Sequence, residues 1–342
     1  MNAASRQTRI PALATRRRVD LAALAAVLAG ALLSAAGPAA ATTSAPAAAP
    51  LQLIAEPQAG ITPFLNMIDG ARTSIDLTMY ELFDRHIEQA LAAAAKRGVD
   101  VRVLLNGGYY RTPDTKNAQA YSYLAAHGVH VRYSPTYFAL THQKTLTVDG
   151  RESVIMTLNF DGLYASTRDF AILDNQPADV QAITEAFDAD YSARRIVASS
   201  GTGDLVWSPG NGAETAVLKL LGSATKSIDL EDEEMDYPAA TTALCQAARR
   251  GVQVRVVMTS EASWDTAFAE LRGCGASIHL YHGQAYYIHA KMLLVDGREA
   301  LVSSQNLSIG SLQYNRELGI TITNPALLSA LTADFGSDYA GA

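Results

Sequence analysis

The chain repeats itself once, and that repeat constrains its fold more than any other feature. Ala71–Leu77 (ARTSIDL) returns as Ala224–Leu230 (ATKSIDL), and Lys96–Val103 (KRGVDVRV) as Arg249–Val256 (RRGVQVRV), both at an offset of 153. Further on, Val148–Glu152 (VDGRE) returns as Val295–Glu299 at an offset of 147, so the second copy has lost six residues in its middle loop. A period near 150 residues is far too long for a solenoid unit. It implies two homologous halves packed about a pseudo-twofold axis.

Each half carries the same pattern. A helix (61–71, 213–223) leads into a short strand (Ser74–Met79, Ser227–Leu230). A second helix (84–97, 238–250) stops at Gly98 or Gly251, the expected C-terminal glycine. A β-branched strand follows (Val99–Leu105, Val252–Met258), then a third helix (115–127, 262–274). Last come a strand, a hairpin turning at Asp149-Gly150 or Asp296-Gly297, and a further strand. Strands alternating with helices predict an α/β layered fold with mixed sheets, each largely parallel plus an antiparallel hairpin.

The N-terminus reads differently. Arg16–Arg18 precede an apolar run from Leu21 to about Ala36, followed by Gly37-Pro38 and Ala39–Ala41. This is the pattern of a secretory leader over 1–41, with a linker over 42–50 and the halves at 51–200 and 201–342. A secreted or periplasmic location is expected. The leader holds five arginines and one aspartate, leaving 22 basic and 33 acidic residues, about −11 instead of −7. Such a charge argues against a general polyanion binder, although a local positive pocket stays compatible. Cys245 and Cys274 either pair in an oxidising compartment or stay as two buried thiols.

The chemistry lies on the hairpins. His142 and Lys144 are two apart, as are His289 and Lys291, so each imidazole shares a strand face with an ammonium. The return strands bring Thr157 and Asn159, matched by Ser304 and Asn306. Imidazole, ammonium, amide and hydroxyl should therefore meet at one spot, twice. Two lysines and two amides suit the non-bridging oxygens of a phosphodiester. One imidazole can attack phosphorus while the other protonates the leaving alkoxide. The lysines supply the positive charge, so no metal or other cofactor is expected. The five other histidines show no such pairing. A lone His-x-Lys would be an ordinary surface pair. Recurrence in register, across flanks as different as Tyr80-Glu81 and Glu233-Glu234, is not.

His142-Gln-Lys-Thr-Leu-Thr-Val-Asp149 and His289-Ala-Lys-Met-Leu-Leu-Val-Asp296 resemble the paired HKD motifs of the phospholipase D superfamily. The resemblance covers nearly all of the chain after the leader. It implies two α/β/α halves with the active site at their interface, His142 as nucleophile and His289 as general acid. It also implies a crossed arrangement in which Glu317 orients His142 and Asp169 orients His289. Asp149 and Asp296 are expected to brace their hairpins. Thr157 departs from the usual serine but keeps its hydroxyl.

The substrate has two readings. Phospholipid at a membrane surface fits the export pattern and the acidic charge. It also fits aromatic residues before the motifs (Tyr133, Tyr137, Phe138; Tyr281, Tyr286, Tyr287) and in the 106–118 loop (Tyr109, Tyr110). A secreted nuclease fits the compact halves. The run Glu231–Glu234 could meet a cationic head group or be a solvated charge run. With both halves in one chain, a monomer without an obligate protein partner is expected.

Overall fold

The structure, a computed structural model, describes residues 51–341 apart from 110, 111, 114 and 284. The leader and linker expected over 1–50 lie outside it, as does Tyr110. Among the described residues, no helix is long and apolar enough to cross a membrane.

The first sheet contains β1 (Leu51–Glu56), β2 (Ser74–Met79), β3 (Asp100–Leu105), β4 (His130–Tyr133), β5 (Thr145–Val148), β6 (Glu152–Met156) and β7 (Thr167–Asp174). Their spatial order is β1-β7-β6-β5-β2-β3-β4. The second sheet contains β8 (Leu205–Ser208), β9 (Ser227–Glu231), β10 (Gln253–Thr259), β11 (Ser277–Tyr281), β12 (Met292–Val295), β13 (Glu299–Ser303) and β14 (Glu317–Ile322). Its order, β8-β14-β13-β12-β9-β10-β11, is the same topology position by position.

The sheets are mixed, but the expected parallel majority is wrong. Only β2, β3 and β4 pair in parallel, as do β9, β10 and β11; the other neighbours on the two main paths are antiparallel. The hairpin strands pair antiparallel not only with each other but also with β2 and β7 in the first half and with β9 and β14 in the second. β1 and β8, which the sequence pattern does not mark as strands, add antiparallel edges beside β7 and β14.

Local sequence explains the helix boundaries. The Asp84 carboxylate accepts from the first backbone N–H groups of helix Arg85–Lys96, and Asn324 does the same for the last helix, Pro325–Ala340. Gly98 ends the first of these at φ +90°, a conformation costly for any residue with a Cβ. The hairpin turns place Asp149 and Asp296 at φ 54°, each followed by a left-handed glycine, which matches strand twist.

Three apolar cores result. One lies on the outer face of each sheet, under the helices of that half. The third draws on both halves. It joins Phe170 and Ile172 of β7 and Ile183 of helix Pro177–Tyr191 to Met292, Leu294, Leu318 and Phe335 of the second half. Two buried ion pairs cross this layer. Arg168 reaches Asp338 at 2.5 Å, and Arg316 reaches Asp190 at 2.6 Å. Outside it, Cys245 and Cys274 form a disulfide with a Cα–Cα distance of 5.3 Å.

Candidate active site

Backbone pairing between the halves sets the site. Thr141 bridges Arg316 in parallel, and the His142 N–H donates to the Arg316 carbonyl at 2.9 Å. Its counterpart is the short strand Tyr287–Ile288, which pairs with Thr167–Arg168, while the His289 N–H donates to the Arg168 carbonyl at 3.1 Å. Each histidine is thereby fixed beside the residue that precedes the other half's acid. One residue on, Glu317 Oε2 lies 2.9 Å from His142 Nδ1, and Asp169 Oδ1 lies 2.8 Å from His289 Nδ1. The pairing is crossed.

With Nδ1–H donating to its carboxylate, the Nε2 of each ring is left for chemistry. Burial pushes the Glu317 and Asp169 carboxyls up. The paired histidines, helped by Lys291 and Thr157 for Asp169 and by Lys144 and Ser311 for Glu317, more than offset this, so both acids end below their ordinary values. For His142, burial and then the Lys144 ammonium outweigh Glu317 and lower the imidazole from its usual 6.5.

One cavity of ≈ 320 Å³ receives His142 and Asn159 from the first half and His289 and Asn306 from the second. The carboxamide oxygens of Asn159 and Asn306 are buried with no hydrogen-bond partner among the described residues. The lysines are almost wholly buried, Lys144 at 1% exposure and Lys291 at 2%. Each ammonium donates to the carbonyl of its own histidine. Burial, then repulsion from Lys291, brings Lys144 down to about 7. Glu81, Asp161, Glu233 and Glu234 also line the cavity, with Lys116, which pairs with Glu81 at 2.6 Å, so its wall carries more acidic than basic groups. Among the described residues, no group of three or more His, Cys, Asp or Glu side chains is arranged to hold a metal ion.

Several expectations change in detail. The hydroxyls do not face the cavity. Thr157 Oγ1 donates to Asp169 at 2.5 Å, and Ser304 Oγ accepts from the Leu318 N–H at 3.2 Å, so both support the site from behind. Asp149 takes the N–H groups of Arg72, Thr73 and Ser74, and Asp296 those of Thr225, Lys226 and Ser227. They tie each hairpin turn to the start of the neighbouring strand. Of the tyrosines before the second motif, only Tyr287 lines the cavity. Tyr281 and Tyr286 donate to Asp338 at the inter-half layer. Tyr137 stacks edge-on against Phe138 and under Arg195, away from the cavity lining.

The acidic run is not a solvated stretch. Glu231 and Asp232 are buried, and Glu233 and Glu234 line the cavity. Arg168 with Asp338 and Arg316 with Asp190 were not anticipated. Their one trace in sequence is the arginine before each acid, Arg168-Asp169 and Arg316-Glu317.

Two His–Lys hairpins from matching halves, closing on one cavity with crossed carboxylates, define the class: a phosphodiester-acting enzyme. The chain belongs to the family described as "Cardiolipin synthase, PLD-like domain", which matches residues 64–191 and 217–339 and lies within the phospholipase D superfamily. Cardiolipin synthase B of Escherichia coli (strain K12) is 26% identical over 279 residues, covering 70% of this chain and 67% of that protein. Cardiolipin synthase A of Klebsiella pneumoniae (strain 342) is 34% identical over 105 residues, 29% of this chain and 20% of that protein. Phosphatidylserine synthase of Haemophilus influenzae Rd KW20 shares the fold, with TM-score 0.66, 13% identity, and 84% and 86% of the two chains covered. Polyphosphate kinase of Porphyromonas gingivalis does too, with TM-score 0.65, 16% identity, and 84% of this chain and 46% of that one covered.

Proposed function

We propose that the protein is a phospholipase D-type phosphodiesterase that releases head groups from phospholipids by double displacement. The observation that carries this is the pair of crossed dyads, His142–Glu317 and His289–Asp169, on one cavity. His142 Nε2 attacks phosphorus and the P–O bond to the head group breaks. The His289 Nε2–H protonates the departing alkoxide, leaving a phosphatidyl group on His142. His289, now neutral, takes a proton from water, which attacks phosphorus and breaks the P–N bond. Lys144, Lys291, Asn159 and Asn306 hold the non-bridging oxygens through both transition states.

Asymmetry supports the division of labour. The His142 ring has a carboxylate at Nδ1 only, which suits a nucleophile. His289 has one at each nitrogen, Asp169 at 2.8 Å and Glu233 at 3.5 Å, which suits a group that carries a proton.

The acidic wall favours lipid over nucleic acid, because a polyanion would meet five carboxylates and one lysine, Lys116, in the cavity lining. The relatives' names, cardiolipin synthases, point the same way. An alcohol in place of water in the second step would turn release into transfer. Export is part of the proposal, with residues 1–41 as leader; the Cys245–Cys274 disulfide is consistent with an oxidising compartment. Sequencing the N-terminus of the extracytoplasmic protein checks it, and an intact Met1 there would refute it.

The test offers the enzyme phosphatidylcholine vesicles, phosphatidylglycerol vesicles and single-stranded DNA in parallel, with chelator present. Head-group release with phosphatidate formation is expected, and cardiolipin formed from phosphatidylglycerol would identify an alcohol acceptor. DNA cleavage without head-group release would overturn the lipid reading. Strict dependence on added metal would overturn the mechanism.

A further inference from the structure

The two sides of the cavity differ at one equivalent pair, Tyr80 and Glu233, related by the 153-residue offset. On the first side the Tyr80 ring packs edge-on against His142, with centroids 4.6 Å apart, and Lys144 Nζ lies 5.0 Å from the ring centre. On the second side a single carboxylate oxygen, Glu233 Oε2, lies 3.0 Å from Lys291 Nζ, 3.4 Å from Asn306 Nδ2 and 3.5 Å from His289 Nε2. The Tyr287 hydroxyl donates to the other oxygen at 3.2 Å. Lys291, Asn306 and His289 are the three second-half groups that the mechanism directs at the reacting phosphate. Burial pushes the Glu233 carboxyl up, but Lys291 and His289 overcome this and hold it ionised at neutral pH. The Glu233 side chain is 24% exposed against 1% for Lys291, so the glutamate is the partner with room to move.

We propose that Glu233 is a resident anion standing where a phosphate oxygen binds, and that it selects singly charged phosphodiesters over doubly charged phosphates. The inference rests on the reading of Lys291 and Asn306 as phosphate-oxygen ligands. A substrate must displace the carboxylate, and any ligand pays for the fraction of time the site is closed. Once displaced, Glu233 remains beside the bound group in a low-dielectric cavity, with Glu234 near it on the wall. A diester brings one negative charge against them. A monoester or inorganic phosphate brings nearly two. Phosphatidate, the product of head-group release, is itself a monoester, so the repulsion that admits a diester also expels the product.

The experiment titrates the wild-type protein and Glu233→Gln with methyl phosphate, which is mostly a dianion at neutral pH, and with dimethyl phosphate, both at pH 7, by calorimetry. In the variant, methyl phosphate should bind about tenfold tighter, and dimethyl phosphate should gain about threefold or less, because the removed charge opposed the dianion more. Tyr80→Glu, which places a carboxylate on the first side, should shift methyl phosphate binding the opposite way; thermal melting verifies that both variants fold. Equal gains for the two ligands would leave Glu233 a plug without selectivity and overturn the proposal. So would unchanged or weaker methyl phosphate binding in Glu233→Gln, which would make it a brace for Lys291. If neither protein binds methyl phosphate, the phosphate-site reading itself fails along with the inference. No lipid enters the titration, so a failure to release head groups is scored separately.

Discussion

The two halves of the cavity share a scaffold and differ in what faces each histidine. Topology, turn, motif aspartate, lysine and asparagine recur, and each acid arrives from the opposite half. Against that background, one histidine meets the edge of a tyrosine and the other meets a carboxylate. Under the proposed mechanism, a duplicated fold divides one reaction into two roles by changing a single residue beside each imidazole: symmetry would supply the phosphate cradle, and the Tyr80/Glu233 pair breaks it.

Replacing each orienting acid separately gives the largest expected effect. Asp169→Asn and Glu317→Gln should each lower kcat roughly 10²–10⁴-fold, because the imidazole loses the carboxylate that fixes its tautomer. The halves should separate on leaving-group dependence. The Asp169→Asn penalty on kcat/KM, which reports the first displacement, should shrink on a p-nitrophenyl diester, whose leaving group needs no proton, and the Glu317→Gln penalty should persist. Equal shrinkage in both variants would contradict the assignment of acid and nucleophile.

The inter-half ion pairs test where the halves are alike. Asp338→Ala strands the buried Arg168, and Asp190→Ala strands Arg316, which also stacks against Trp207 at 4.6 Å. Each should cost about 3–5 kcal/mol in urea unfolding, since removing one partner leaves a buried charge uncompensated. A large loss from one variant and none from the other would mean that the layer is not held symmetrically.

The smallest effect concerns pH. In the proposed mechanism Lys144 binds phosphate as its ammonium form, and in the free enzyme that form predominates below about 7. kcat/KM should therefore fall as pH rises through about 7. His142 is lowered from 6.5, so the neutral nucleophile persists below the ordinary histidine range and the acid limb should lie there. The Glu233 charge helps keep the Lys144 proton, so in Glu233→Gln the alkaline limb should move to lower pH. A limb that stays in place would separate Glu233 from the first half of the site.

Legibility in the sequence followed the range of the interactions. The halves, the hairpins and the in-register His, Lys and Asn residues could be read because an Asp-Gly turn and a two-residue strand period are local. The crossed acids came through resemblance alone, since Asp169 and His289 are 120 residues apart and meet only across the interface. Arg168 and Asp338, 170 residues apart, left no local signal that they would pair. Glu233 was visible as one of four consecutive acids. What could not be read was that two of them are buried and that Glu233 turns toward Lys291, because charge in a run reads as solvated until its surroundings are known. The parallel content of the sheets was overestimated for a related reason: a strand's direction is set by its partner, and the hairpin strands and their neighbours β1, β7, β8 and β14 all join through antiparallel pairing.

The central claim is that one cavity carries two unequal histidines, His142 to form the covalent bond and His289 to move the proton. The most direct measurement is mass spectrometry of enzyme quenched during turnover of a slow diester, on the wild type and on His142→Ala and His289→Ala. The account predicts a phosphoryl adduct on His142 in the wild type, its persistence on His142 in His289→Ala with a good leaving group, and no adduct in His142→Ala. An adduct on His289, or one that survives in His142→Ala, would contradict it.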